Sequence, residues 1–450
     1  MPSYRLPGWS RALRAIFCLL LASGLLSWLG SPARAERSIT PPPNLVLEEG
    51  QTKPEPMWVV LPYAFDSDTT DWAYGAALGS QGYLQEQAGL LGAVMGSSNG
   101  SWGFYLVGWN YQLPWFRRLF FDFNTSVGNY GNQRFYASEP RPAGSVRAGS
   151  NDSDEDDYLS GEGNEDWADF TFRYVLPLGA ARNDPLSRYR VKEGLLQEGA
   201  TGGGAWNPLT GGISMVELKP FYRRRTLKRD YGEITRDTSG LMLALTYNNT
   251  DFPINPSRGS VQRLALRRDF GLLEHSQPWT TVEAELAGYW DLGKWPWFKQ
   301  SVLALDFWTV DTPSWDESGG RVSGDPPTYY GGSLGGFWRL RGYPSNRFHD
   351  RAAILYTAEL RLIPQWQPLA QSRPGLPAWL KFFKIDWWQL VAFAEAGRVA
   401  GTWSLSELHS DMKWDLGAGI RLMALKAVVR LDLAYSDEGL GVWAMVGHPF

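Results

Sequence analysis

Alternation of apolar and polar residues over short segments, with no long apolar run beside it, most narrows the folds open to this chain. In LFFDFNTSV, Leu119, Phe121, Phe123 and Val127 share one face of a strand and Asp122, Asn124 and Ser126 the other, because successive strand side chains point to opposite sides. DFTFRYVL sets Phe170, Phe172, Tyr174 and Leu176 against Asp169, Thr171 and Arg173. VEAELAGYWDL sets Val282, Ala284, Leu286 and Trp290 against Glu283, Glu285, Tyr289 and Asp291. WDLGAGIRL and VVRLDLAY repeat the pattern, with Asp415, Arg421, Arg430 and Asp432 on the polar side, whereas WGFYLVGWNY is apolar on both faces and gives no phase. Past residue 35 nothing approaches the roughly 18 apolar residues of a membrane helix. A chain rich in Trp, Tyr, Phe and Gly that alternates in this way is expected to be all-β, with one face of each strand toward lipid and the other toward a wet lumen.

The first 35 residues read as a cleavable signal peptide. Arg5, Arg11 and Arg14 precede an apolar run over 15–29, and Ala33-Arg34-Ala35 fits a small-x-small cleavage site. Cys18, the only cysteine, lies inside it, so an exported mature chain relies on sheet hydrogen bonds rather than disulfides. The segment carries four arginines and no acid, which leaves an acidic excess of about eight. A nucleic-acid partner would want a basic face, so none is expected. Residues 36–56, too Pro-rich and polar for a folded unit, read as a short periplasmic leader.

Strands are predicted near 57–65, 72–82, 86–97, 101–111, 118–128, 167–177, 213–224, 238–249, 259–269, 278–292, 299–311, 351–363, 387–397, 412–423, 427–436 and 440–449. Sixteen antiparallel strands over 57–450 suit a closed transmembrane barrel with both ends on the periplasmic side. Residues 129–166 and 312–350 then become long extracellular loops. The connection 178–212 is too long for a periplasmic turn, and either folds into something small or hides a hairpin. The second loop ends in GGFWRLRGYPSN, residues 335–346. A solvated loop has no need of that ending. One that folds back into the lumen needs Gly and Pro to turn, and a partner for the arginine it carries.

LRGY, Leu340 to Tyr343, resembles the (V/I)-R-G-(F/Y) motif of the BamA/TamA superfamily of bacterial surface antigens, outer-membrane assembly and translocation barrels. FAEAG, Phe393 to Gly397, is similar to the family's F-x-D-x-G motif, with Glu395 in the aspartate's place. DFPINPSRG, with Asp251, Pro253, Asn255, Pro256 and Gly259, resembles the turn between strands eight and nine. GAGIR, with Gly417, Gly419 and Arg421, resembles a strand-fourteen motif, followed by VVRLDLAY. The resemblance spans roughly residues 57–450 and is strongest after 240. It implies that Arg341, with Gly342 and Tyr343, enters the lumen and meets Glu395, and a bidentate pair is expected there. It also implies that Phe450 serves as the carboxy-terminal signal read by the barrel assembly machinery. The leader is too short for the POTRA domains that receive clients in this family, so a barrel-only member is expected.

Three functions stay open. An assembly, insertion or translocation factor would work through a weak seam between first and last strands, where Pro62 removes a donor and Gly439, Gly441 and Gly447 weaken pairing. A passive pore or structural surface barrel with a lumen-plugging loop is the alternative. An enzyme is disfavoured, because His275, His349, His409 and His448 have no Ser and acid at triad spacing. No catalytic residue, metal or cofactor is expected. The acidic run 151–166 departs from an EF-hand at its sixth and twelfth places and reads as a solvated loop. KWPWFKQ and DWWQL read as interfacial aromatics. Expected partners are outer-membrane lipid and lipopolysaccharide, the assembly machinery for the barrel's own insertion, and a periplasmic partner or client, in a Gram-negative-type outer membrane.

Overall fold

A computed structural model describes residues 45–49, 56–67, 69–136, 146–230, 232–293, 295–318 and 321–450. The predicted signal peptide and most of the leader lie outside the described residues. In chain order the strands are β1 (Leu45–Glu49), β2 (Met57–Ser67), β3 (Asp71–Gln81), β4 (Gly89–Ser97), β5 (Trp102–Leu113), β6 (Phe116–Phe135), β7 (Leu159–Val175), β8 (Ser187–Lys192), β9 (Leu195–Glu198), β10 (Ile213–Arg229), β11 (Gly232–Asn248) and β12 (Gly259–Asp269). They continue with β13 (Trp279–Asp291), β14 (Phe298–Asp311), β15 (Asp316–Ser318), β16 (Arg321–Ser323), β17 (Gly332–Leu334), β18 (Phe348–Asp350), β19 (Ala352–Pro364), β20 (Trp387–Ala400), β21 (Lys413–Ala424), β22 (Ala427–Ser436) and β23 (Gly439–Val446).

Sixteen of these, β2–β7, β10–β14 and β19–β23, form one sheet in which each strand neighbours the next in chain order. The result is an antiparallel, 16-stranded transmembrane β-barrel. Alternation decides what each face meets. Leu241, Leu243 and Leu245 of β11 and Leu264 and Leu266 of β12 are exposed on the lipid side. Between them, Met242, Ala244, Ala265 and Arg267 are buried toward the lumen.

Two differences from the sequence reading have physical causes. The β6, β7, β10 and β11 strands run 20, 17, 17 and 17 residues, well beyond the predicted limits. Their outer ends are polar (GEGNED, for example), since no lipid opposes them, so the alternation that marks a strand in sequence is lost there. WGFYLVGWNY resists phasing because β5 is bulged. Its ladder to β6 slips between Gly108 and Tyr111, and Asn110 takes a left-handed φ of 63°. An extra residue reverses the parity, so Tyr105 and Val107 are buried before the bulge and Asn110 after it.

The connection 178–212 holds the hairpin that is one of its two expected forms, whereas the leader differs from expectation. β8 and β9 form a small antiparallel hairpin, and the leader strand β1 adds to it in parallel, giving the order β1-β8-β9. Leu45 and Leu47 pack with Tyr189, Val191 and Phe252. The leader is therefore more than a polar tether, because its short LVL triplet is apolar enough to be buried. A second long connection on the short-turn side, 365–386, holds a helical turn at Ala378–Lys381. Its Phe383 and Ile385 pack against Leu61 of β2, Ala424 of β21 and Val429 of β22.

Candidate functional site

The loop between β14 and β19 leaves the wall, pairs β17 with β18 at its neck and sends residues 335–347 into the lumen. Consecutive glycines at 335 and 336 make the turn at φ 103° and 104°, values that only glycine adopts readily. Gly336 donates to the Tyr343 carbonyl (3.0 Å) and Tyr343 to that of Leu340 (3.2 Å), closing the tip on itself. Phe337 and Trp338 pack with Tyr63, Phe65, Tyr105 and Trp167 of the early strands. Leu340, Tyr343 and Phe348 pack with Trp308, Val310, Leu355 and Val399 on the other wall. The loop thus spans a lumen that wall side chains alone leave unfilled.

Arg341 sits at the end of this excursion with no exposed surface. Its Nε lies 3.1 Å from Glu395 Oε2, and its Nη1 lies 2.9 Å from Glu359 Oε1 and 2.7 Å from Asp432 Oδ2. Its backbone N–H also donates to Glu395 Oε2 at 2.7 Å, and that of Gly342 to Asp415 Oδ2 at 2.8 Å. The expected bidentate pair with Glu395 is therefore replaced by one guanidinium shared among three carboxylates. The fork geometry belongs to Arg347, whose Nε and Nη2 meet Glu438 at 2.9 and 2.8 Å. Burial opposes the charge on Arg341; the carboxylates, Glu395 foremost, outweigh it and hold the pKa well above that of ordinary arginine.

The surrounding wall balances this cation. Glu359 also takes Arg361 and Arg421 at 2.8 Å, and Arg430 pairs with Asp432. Phe393 offers its ring face 3.4 Å from the Arg341 guanidinium carbon. The strand glycines make room for these groups. A Cβ on Gly417 would lie 2.1 Å from the Phe393 ring, one on Gly419 2.2 Å from Asp432 Oδ1, and one on Gly342 2.7 Å from the Asp415 Cβ. Gly397 faces Leu334 of the loop neck. The Tyr343 hydroxyl donates to Asp437 Oδ1 (2.5 Å), and Trp443 Nε1 to the Arg341 carbonyl (2.6 Å). One loop tip is thus gripped by β19, β20, β21, β22, β23 and the turn joining the last two.

Other singled-out residues lie apart from the tip. Asp251 organises the 251–259 turn, its carboxylate accepting from the N–H groups of Phe252, Ser257 and Arg258 at 2.9 to 3.1 Å. Asn255 donates to Gln300 (2.8 Å), Gly259 holds φ 98°, and Phe252, beside Pro253, and Ile254, before Pro256, pack onto the β1-β8-β9 sheet. β23 ends at Val446 rather than near 449, and Phe450 turns inward, stacking on Tyr289 at 6.2 Å. Arg421 donates to His448 Nδ1 at 2.6 Å.

His349 is buried against Trp315 and drops to a pKa of about 3, chiefly from burial and then from Arg147 nearby. The acidic run is not wholly solvated: Ser153 accepts from Arg347, and residues 159–166 belong to β7. Trp387 of DWWQL is buried, donating to the Gly194 carbonyl at 3.1 Å, and is no interfacial aromatic.

Sequence reasoning missed Glu359 and Arg361. Their signal was present in AELRLIP, where Glu359 and Arg361 alternate with Leu360 and Leu362. Partnership across non-adjacent strands has no such signal, because it depends on which depth of the wall the loop tip reaches.

A wide antiparallel barrel crossed by an inward-folded loop, its arginine held among wall carboxylates, defines an outer-membrane type of β-barrel. Residues 204–439, more than half of the chain, match the Omp85 superfamily domain, and the chain belongs to the Omp85 superfamily, whose barrels serve insertion and translocation at the outer membrane. Among solved structures it is similar to BamA from Haemophilus ducreyi lacking POTRA domains 1–3, at 12% identity over 87% of this chain and 69% of that one, with a TM-score of 0.47. It is also similar to CdiB from Acinetobacter baumannii (13% identity, 87% and 58% coverage, TM-score 0.45) and to CdiB from Escherichia coli (12%, 88% and 62%, 0.49). The chain spans less than two thirds of the length of either CdiB. No curated protein matches it.

Proposed function

We propose that this barrel inserts or translocates client polypeptides at the outer membrane by opening the seam between β2 and β23. One observation carries the reading. These strands are the two ends of the sixteen-strand sheet, and among the described residues no ladder joins them. Unpaired strand edges are templates for another chain. Pro62 removes a donor from β2, and Gly439 and Gly441 lie in β23. Leu61 packs against the 365–386 connection, and Tyr63 and Phe65 share a buried cluster with Met445 of β23, so opening would break side-chain packing between the two strands. Arg341, Gly342, Tyr343 and Glu395 serve as the lock that keeps the loop in the lumen, and Phe450 as part of the barrel's own insertion signal. The chain performs no chemistry of its own and works in lipid and lipopolysaccharide with clients delivered from the periplasm.

The test is a disulfide across the seam, in a Val60→Cys/Ala444→Cys variant expressed in cells depleted of the native protein. The expected result is loss of particular barrels or one secreted protein from the outer-membrane proteome, restored by reductant. Full activity of the cross-linked barrel rules out seam opening. A passive pore would instead leave the proteome intact and show conductance that rises when residues 325–347 are removed.

A further inference from the structure

We propose that the edge of β8 at the periplasmic mouth is a strand-accepting site, filled in cis by β1, whose exchange partner is an extended segment of an unfolded exported polypeptide. The host is built without the guest. Arg188 of β8 meets Glu86 at 2.9 Å, Lys299 meets Glu193 at 3.1 Å, and Trp387 Nε1 donates to the Gly194 carbonyl. The Tyr189 hydroxyl meets Thr201 Oγ1 at 2.8 Å, and Leu195 packs with Ile363, Trp387, Met423 and Val428. These contacts fix the hairpin to several turns and strand ends of the barrel, and none of them involves β1.

The guest is held differently. All five residues of β1 pair in parallel with β8, from Leu45 opposite Ser187 to Glu49 opposite Val191. Specificity comes from side chains. Leu45 and Leu47 enter the pocket of Tyr189, Val191 and Phe252, Val46 is buried on the opposite face, and Glu48 reaches Arg188 at 3.4 Å and Arg190 at 3.8 Å. Main-chain pairing with alternate side-chain pockets is how sheets take up extended peptides. The segment the slot fits therefore carries an apolar triplet followed by acid. β1 joins β2, one of the two seam strands, through residues 50–56, so a segment that displaces it also releases the tether of that strand. The identity of the partner as an exported client rests on the function proposed above; the slot itself does not.

The probe is a fluorescent peptide of sequence PNLVLEEG, titrated by anisotropy against the full-length protein in detergent. A tethered guest competes at the high effective concentration of a short linker. A Leu45→Asp/Leu47→Asp variant, which ejects β1, is thus expected to bind the peptide about ten-fold or more tightly than the native chain. A Glu48→Cys/Arg190→Cys disulfide is expected to abolish binding until reduced, and a peptide with aspartate for both leucines to bind neither protein. Hydrogen exchange over 187–198 is followed in parallel. Equal affinity for native and ejected forms overturns the proposal, as does loss of hairpin protection when β1 is ejected. Peptide binding needs no insertion activity, so a normal titration beside a fully active seam-locked barrel tells against the seam alone.

Discussion

Arg341 is where the lumen loop can be tested most sharply. It is fully buried and shared among Glu395, Glu359 and Asp432, and removing one partner of a buried ionic cluster strands the others. Arg341→Ala is expected to cost about 3–5 kcal/mol of loop docking, read as protease cleavage within 325–347 and as loss of heat-modifiability on gels. Arg341→Lys keeps the charge but offers one point in place of a fork, so it should fall between the two. An unchanged cleavage pattern in the alanine variant would show that packing of Phe337, Trp338 and Tyr343 holds the loop by itself. The arginine and Glu395 were legible in the sequence because both sit in short motifs of recognisable order. Sharing with Glu359 and Asp432 was not, since that depends on β19 and β22 presenting their carboxylates at the depth where the tip stops.

Among the elements, the barrel strands were legible wherever lipid lies on one side and the lumen on the other. The ends of β6, β7, β10 and β11 beyond the membrane, and the bulge of β5, were not, because polarity there no longer reports facing. β1 was missed, and the β8-β9 hairpin was foreseen only as one of two readings of 178–212, for a related reason: four to six residues carry too few alternations to stand out from a loop. Their docking has a titratable element. Asp386, just before β20, is raised to about 6 by burial, with Glu49 and Glu193 adding to the rise, and Gln371 (2.6 Å) and Lys426 opposing it. A carboxyl raised in the folded state stabilises that state while protonated, and the gain is lost as pH rises through the folded value. Protection of the 45–49 and 187–198 segments from proteolysis is therefore expected to be greater at pH 5 than at pH 7.5. Asp386→Asn should give the acid behaviour at both pH values, and a native chain with no difference between them would remove Asp386 from the docking.

At the scale of the whole molecule, the two end strands of the sheet are restrained by different kinds of contact. β23 is held from inside the lumen, where Trp443 donates to the Arg341 carbonyl and that carbonyl lies 2.3 Å from where a Cβ on Gly441 would stand. β2 has no hydrogen bond to the loop tip among those described; its restraints there are side-chain packing, of Tyr63 and Phe65 against Phe337 and Trp338 and of Leu61 against Phe383 and Ile385. If the seam opens, the strand held less firmly should move first, because local opening follows the weakest set of contacts. Hydrogen exchange in lipid nanodiscs is therefore expected to be faster over 57–67 than over 439–446. Gly441→Ala places a methyl group against the Arg341 carbonyl and should selectively speed exchange of 439–446, by about ten-fold for each 1.4 kcal/mol of grip lost. Faster exchange of β23 than of β2 in the native barrel would reverse the order of opening and leave the loop tip as a plug with no hold on the seam.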